Sequence, residues 1–245
     1  MSSLEEIKQS TFIDEIELRF LNNNDIADLK RLCKEWFPLR YPDVWYQQVT
    51  NNPRFFSLAA TYNGETVGVL IAEIRDRNQC NKEDSDMLSY WYPWYPSDTK
   101  VAYILIVGAA KEYRRKGVAS HLLEAFLLKV QSPENYNCKC VYLHVLASNL
   151  DALLFYERQH FKRHKHLPLY YTINNVKMDG YCYVLYVNDG QPPFSLVEFV
   201  EETVDYLAVL SVCRFSRYMF RQLWSLPRKF IVHRAANTTK MVSTL

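Results

Sequence analysis

Two periods of hydrophobic and polar positions follow one another along this chain, and together they divide it into short strands and helices. IELRFL, from Ile16, has the pattern of a first strand. NNNDIADLKRLCKEWF, from Asn22, then sets Ile26, Leu29, Leu32, Cys33 and Trp36 on one helical face, with Asn24 or Asp25 as the expected cap and Pro38 as the stop. FFSLAATY (55–62) and ETVGVLIAEI (65–74) are strands, and Asn63-Gly64 between them predicts a tight hairpin turn. Residues 76–99, which include the stretch YWYPWYP (90–96), show no period and contain two prolines, and predict a loop. VAYILIV (101–107) and KCVYLHVL (139–146) are unbroken apolar runs of the kind buried on both faces of a sheet. GVASHLLEAFLLKV (117–130) lies between them as a helix. LDALLFYERQ (150–159) is a shorter helix with Asn149 as its cap, and FKRHKHLPLYYTI (161–173) and YCYVLYV (181–187) are the last strands. This order predicts an α/β fold: a mixed, seven-stranded sheet flanked by helices on both sides.

The pattern changes at about residue 191, where QPPF interrupts the chain. Beyond it, Val197, Val200, Val204, Leu207 and Ala208 share a helical face, with Glu198, Glu202 and Asp205 opposite. A second segment sets Arg214, Arg217 and Arg221 against Phe215, Met219 and Leu223. Apolar side chains facing arginines, with no long apolar run, describe helices that lie in a membrane interface. The expected organisation is therefore a flexible N-terminus (1–14), a folded α/β domain (15–190) and an amphipathic, membrane-associating tail (191–245).

Length and charge narrow the picture. The 245 residues suit one domain plus an extension, and a net charge of +2 gives no support to a nucleic-acid partner. The first residues lack the apolar core of a secretory signal, and no run approaches the ~20 residues of a spanning helix. The six cysteines, at 33, 80, 138, 140, 182 and 213, lack metal-site spacing and read as reduced, packed thiols. His160, His164 and His166 are interleaved with Lys and Arg, without acid or Cys spacing to complete a zinc site, so no metal is expected.

The stretch with the clearest chemistry is RRKGVAS, Arg114 to Ser120, at the junction of an apolar strand and a helix. A helix's first turn has unpaired N–H groups, and its dipole favours an anion. Gly117 lets that anion approach the backbone, Val118, Ala119 and Ser120 open the helix, and Arg114, Arg115 and Lys116 supply attraction. Neither of the usual phosphate-loop patterns is present, which points to a diphosphate cofactor such as coenzyme A held through one short loop.

Arg114-x-x-Gly117-x-Ala119 matches the acyl-CoA signature of the GNAT acetyltransferases, and it stands where that family carries it, between AYILIVGAAKEY and GVASHLLEAF. Further stretches, among them EWFPLRYPDVWY, YLHVL, LLFYE, LPLYY and DGYCYVLYVNDGQPPF, make residues 15–195 similar to the Golgi-associated N-terminal acetyltransferases, the NatF type. The resemblance implies acetyl-CoA as donor and the N-terminal amine of proteins as acceptor. It implies substrates that begin with Met and face the cytosol, and residence at the cytosolic side of the Golgi membrane through the tail. A monomer or weak homodimer is expected.

It also implies residue roles. Tyr103 and His144 match the family's catalytic pair, with His144 as the base, since imidazole leaves abundant neutral base near pH 7. Tyr103 is placed to hold a water or return a proton to the leaving thiolate. The backbone at Leu105, Val107, Gly108 and Ala109, on a strand expected to splay from its neighbour, serves the cofactor and the thioester oxygen. Asn149 and Tyr156 match positions that contact coenzyme A, although Asn149 also reads as a helix cap. Phe37, Pro38 and Tyr41, with Leu105, Tyr170 and Tyr171, match the walls of the peptide groove. Arg40 departs from the family, where an acid is expected, and bears on the preference for the second or third substrate residue. Two other readings remain: a lysine acetyltransferase on the same fold, and a non-catalytic CoA-binding module attached to a membrane.

Overall fold

The computed structural model describes residues 12–37, 41–88 and 96–193. The expectations for Pro38, Arg40, most of YWYPWYP and the tail lie outside these residues. The chain divides into two units, 1–193 and 194–245, and every described residue belongs to the first.

Seven strands form one sheet: β1 (Glu17–Phe20), β2 (Phe55–Tyr62), β3 (Glu65–Asp76), β4 (Lys100–Ala109), β5 (Cys138–Leu146), β6 (Lys162–Ile173) and β7 (Val176–Tyr186). Their order is β1-β2-β3-β4-β5-β7-β6. All neighbours are antiparallel except β4 and β5, which the helix α3 (Val118–Val130) connects as a parallel crossover. The Asn63-Gly64 turn behaves as expected, both residues taking positive φ (50° and 78°). A second hairpin of the same kind turns at Asn174-Asn175 (φ 50° and 62°) and starts β7 at Val176, ahead of the expected Tyr181. Asn tolerates this left-handed backbone, so the pair serves as a turn without glycine.

Helices α1 (Ile26–Trp36) and α2 (Asp43–Asn51) cover one face of the sheet, over Ala59, Val69, Ile71 and Ile106. Helices α3 and α4 (Leu150–Arg158) cover the other, where Leu122, Leu123 and Phe126 are fully buried against Leu70, Ala102 and Leu143. Phe126→Ala is expected to cost about 3–5 kcal/mol of stability, read as a lowered denaturation midpoint. Asp25 stands at the expected N-cap position of α1, but its side chain makes no capping hydrogen bond to that helix. A 3-10 turn at Asn23–Asp25 precedes α1, so Asn22 takes the capping role and accepts from the Asn24 amide at 2.9 Å. Asp25 instead grips Arg19 of β1 at 2.7 and 2.8 Å and accepts from the Asn22 amide. The Arg19 guanidinium holds that carboxyl below its ordinary range.

The loop after β3 is not a solvated excursion. It makes two 3-10 turns, Arg77–Gln79 and Lys82–Asp84, and buries Asp84, Met87 and Leu88. Met87 and Leu88 pack with Val101, Cys140, Tyr142 and Cys182, closing the end of the sheet where β4 and β5 start.

Candidate active site

β4 and β5 run side by side only as far as Ile104 and Leu143. Beyond that point β4 continues along β3 to Ala109, while β5 continues along β7 to Leu146. The two central strands therefore part, as the family resemblance implies, and among the described residues the edge of β4 from Leu105 onward has no strand partner on the β5 side. Tyr103 stands just before the fork and His144 just after it.

Four side chains meet there. His144 Nε2 lies 2.8 Å from Asp84 Oδ1, with the two side chains 3 % and 0 % exposed. A carboxylate oxygen only accepts, so Nε2 carries the ring proton and Nδ1 presents a lone pair. Two hydroxyls face that lone pair: Tyr170 at 2.9 Å and Tyr103 at 3.3 Å. One lone pair takes one donor at a time, so an amine or a water can displace either phenol. Burial pushes the Tyr103 phenol far up, Tyr170 and Tyr171 add to the shift, and Arg75 opposes it from 4.9 Å above the ring. Tyr103 is therefore a neutral hydroxyl at physiological pH, one that keeps its proton and serves as a hydrogen-bond donor. Burial likewise raises Tyr170 to about 12. Of these groups only His144 offers an unprotonated nitrogen, at Nδ1.

The arrangement depends on two local devices. Asp84 reaches His144 because the Lys82–Asp84 turn folds under the sheet. Tyr170 reaches it because β6 bulges between Leu167 and Tyr171, through Pro168 and a Leu169 at φ 55°. Leu169 holds that strained backbone by donating its N–H to Asp179 at 2.8 Å. Asp84→Asn tests the first device. An amide can offer its NH₂ to Nε2 and move the ring proton to Nδ1, removing the lone pair. The expected result is a fall in kcat of about 10²–10⁴-fold, with little change in KM for the acyl donor.

On the far side of the fork is a cavity of about 520 Å³. It is bounded by Val107, Gly108 and Ala109 of β4, by Arg114, Arg115, Gly117, Val118, Ala119 and Ser120, and by Asn149 and Tyr156. Gly117 is the N-cap of α3 at φ 90°, a conformation open to glycine, and no side-chain cap occupies the N–H groups of the first turn. Trp36 walls the cavity against Gly108, where an added Cβ would lie 2.9 Å from the indole. The buried Trp36 indole N–H has no hydrogen-bond partner among the described residues. Open amides, an unpaired donor and two arginines suit a large anionic ligand with amide groups, as coenzyme A is. Two arginines are already engaged: Arg114 with Glu35 at 3.2 Å, and Arg115 with Asp151 at 3.1 Å.

The expected residues do not all gather there. Lys116 lies over the rings of Phe12 and Tyr113, at 5.3 and 5.1 Å, and is absent from the cavity wall. Leu105 packs with Trp36, Phe37 and Tyr41 around the α1–α2 core. Asn149 caps α4, accepting from the Ala152 amide at 3.2 Å, while it also borders the cavity. Phe37 and Tyr41 form an aromatic wall with Trp45, whose ring stacks on Tyr41 at 4.3 Å. His164 pairs with Asp86 and His166 with Asp179, so they serve two different carboxylates. Asp84, Arg75 and Trp36 escape sequence reasoning. Only Trp36, at the end of an amphipathic face, carries any local signal, and it reads as core.

Comparison with known proteins gives the same picture. Residues 23–161 match the acetyltransferase (GNAT) family. The N-alpha-acetyltransferase 60 of Xenopus tropicalis is 44% identical over 227 residues, which covers 93% of this chain and 92% of that protein. The crystal structure of Arabidopsis thaliana NAA60 in complex with a bisubstrate analogue superposes with a TM-score of 0.64 at 29% identity, covering 72% of this chain and 99% of that one. The same plant protein in complex with acetyl-CoA superposes with a TM-score of 0.62, again at 29% identity, covering 71% of this chain and 99% of that one.

Proposed function

The chain belongs to the GNAT acetyltransferase family, and from that premise we propose that it acetylates proteins that begin with Met and expose their N-terminus to the cytosol, working from the Golgi membrane. Its reaction is N-terminal acetylation with acetyl-CoA as donor, and no metal takes part.

One observation carries the mechanism: the Nδ1 lone pair of His144, oriented by Asp84, opens at the fork between β4 and β5, beside the cavity headed by Gly117. Bound acetyl-CoA supplies a thioester whose carbonyl carbon accepts an amine. The chain's own residues do the rest. A protein α-amine, of ordinary pKa about 7.7–8.0, needs to lose one proton, and His144 Nδ1 takes it directly or through a water. Asp84 keeps the ring in the right tautomer and steadies the cation that forms. After attack the nitrogen's extra proton leaves with the sulfur as a thiol, and the Tyr103 hydroxyl, held neutral, steadies the departing sulfur by a hydrogen bond. The unpaired edge of β4 from Leu105 offers backbone N–H to the carbonyl oxygen.

The finer reading has separate supports. Aromatic walls at Phe37, Tyr41 and Tyr171 suit the side chain of methionine. For the membrane, the support is the tail's sequence, in which cations oppose an apolar face, each worth about 1 kcal/mol near an anionic leaflet. Among the described residues no helix is long and apolar enough to cross a membrane. The deciding experiment is a peptide library with the first two residues varied. Acetylation confined to Met-initiated peptides is the expected result, and equal rates on Ser- or Ala-initiated peptides overturn the preference. Competition between a Met-Lys peptide and its amine-blocked form separates N-terminal from lysine acetylation. A tail-deleted chain that keeps its Golgi signal in cells removes the membrane proposal.

A further inference from the structure

We propose that Asp84, His144 and Cys182 form an inhibitory site for a thiophilic divalent cation of the Zn²⁺ class, which switches the enzyme off by capturing its base. This rests on the reading of His144 as the base. Cys182 stands on β7 directly opposite His144 on β5, so the two side chains leave the same face of the sheet. One ligand atom from each of the three residues lies within 4.8 Å of the others. The second oxygen of Asp84, Oδ2, is buried and without a hydrogen-bond partner among the described residues, on a side chain that is 0 % exposed. A buried, unpaired carboxylate oxygen is costly to keep and marks a place where a cation would be held.

The donor set selects the cation. Sulfur, imidazole nitrogen and carboxylate oxygen together suit zinc, whereas Mg²⁺ and Ca²⁺ take oxygen alone. Tetrahedral zinc sets its ligand atoms about 3.5 Å apart, so the cluster closes slightly around Cys182 while the Asp84–His144 contact opens. Thiolate and carboxylate together neutralise the ion, and the buried site ends with no net charge. A water completes the fourth position.

Protons balance as follows. The metal takes the Nε2 lone pair, the Nε2 proton relocates to Nδ1, and the Cys182 thiol gives its proton to solvent, so one proton is released per ion bound. Nδ1–H then faces Tyr103 and Tyr170 as a donor and cannot accept from an amine. The base is lost while the Gly117 cavity stays free, so inhibition falls on kcat and is not relieved by more acetyl-CoA.

The test uses the full chain with Zn²⁺ against activity and Co²⁺ as a spectroscopic probe. The expected result is that zinc removes most of the acetylation rate, that EDTA restores it, and that cobalt gives a thiolate-to-metal band with the visible spectrum of a four-coordinate ion. Cys182→Ser should retain acetylation without metal, lose the cobalt band, and need at least about tenfold more zinc for the same inhibition. Cys182→Ala serves equally if the serine variant does not fold. A missing thiolate band in the parent protein, or equal zinc sensitivity in the Cys182 variant, overturns the proposal. A chain that binds cobalt through sulfur yet never acetylates a peptide would instead refute the role given to His144.

Discussion

Replacing His144 by alanine is expected to slow acetyl transfer by about 10²–10⁴-fold in a protein that still folds and still binds acetyl-CoA. The separation follows from the geometry. His144 touches Asp84, Tyr103 and Tyr170, and its side chain is absent from the wall of the cavity where Gly117 opens α3. The loss therefore falls on kcat, with KM for acetyl-CoA nearly unchanged. Tyr103→Phe, which keeps the ring tilted against Tyr142 with centroids 4.8 Å apart and removes only the hydroxyl, should cost less. Tyr170 already offers a second hydroxyl to the same nitrogen, but it does so from a bulge on the substrate side. In the double variant, Tyr103→Phe with His144→Ala, the two losses should fall short of multiplying, because both groups act on one proton path. An unchanged rate in that double variant would remove both residues from the catalytic machinery.

Gly117→Val is the complementary experiment and should damage binding. Gly117 caps α3 at φ 90°, which a β-branched residue reaches only at a cost of about 1–3 kcal/mol. To escape that cost the backbone turns, and the first-turn amides no longer converge on one anion. KM for acetyl-CoA is expected to rise about 10–100-fold, with kcat at saturation largely kept. Gly64→Val supplies the control. Gly64 also has positive φ, at 78°, and nothing lies within 4 Å of an added Cβ, so it carries the same backbone cost in a hairpin remote from the cavity. Equal lowering of the melting temperature in both variants, with KM raised in one alone, separates a binding loop from a strained turn. An unchanged KM in Gly117→Val would remove the anion-binding role of the α3 N-terminus.

Much of this was legible in the letters because it is local. Apolar positions at periods of two and of 3.6 mark strands and helices, Asn63-Gly64 marks a hairpin, and a glycine between cations and a helix marks an anion site. Each signal lies within a few residues, where backbone sterics and side-chain alternation act directly. The misreadings are local rules overruled by neighbours. Asp25 kept the N-cap position but turned its carboxylate to Arg19, leaving Asn22 to cap a 3-10 turn ahead of the helix, and Asn174-Asn175 made a turn where the usual glycine signal was missing.

The primary structure alone thus settled the order of the strands and helices, the family they build, and which tyrosine and histidine stand at the fork. The folded chain alone decided what those two residues can do. Asp84, 60 positions from His144 in sequence, meets it across a hydrogen bond through a loop with no period to reveal it. Cys182 arrives beside them only through the β5–β7 register, and Tyr170 only through a bulge. Proton affinity, tautomer and metal affinity depend on charges and dipoles a few ångströms away, and such neighbours belong to the arrangement of the sheet and leave no pattern along the chain.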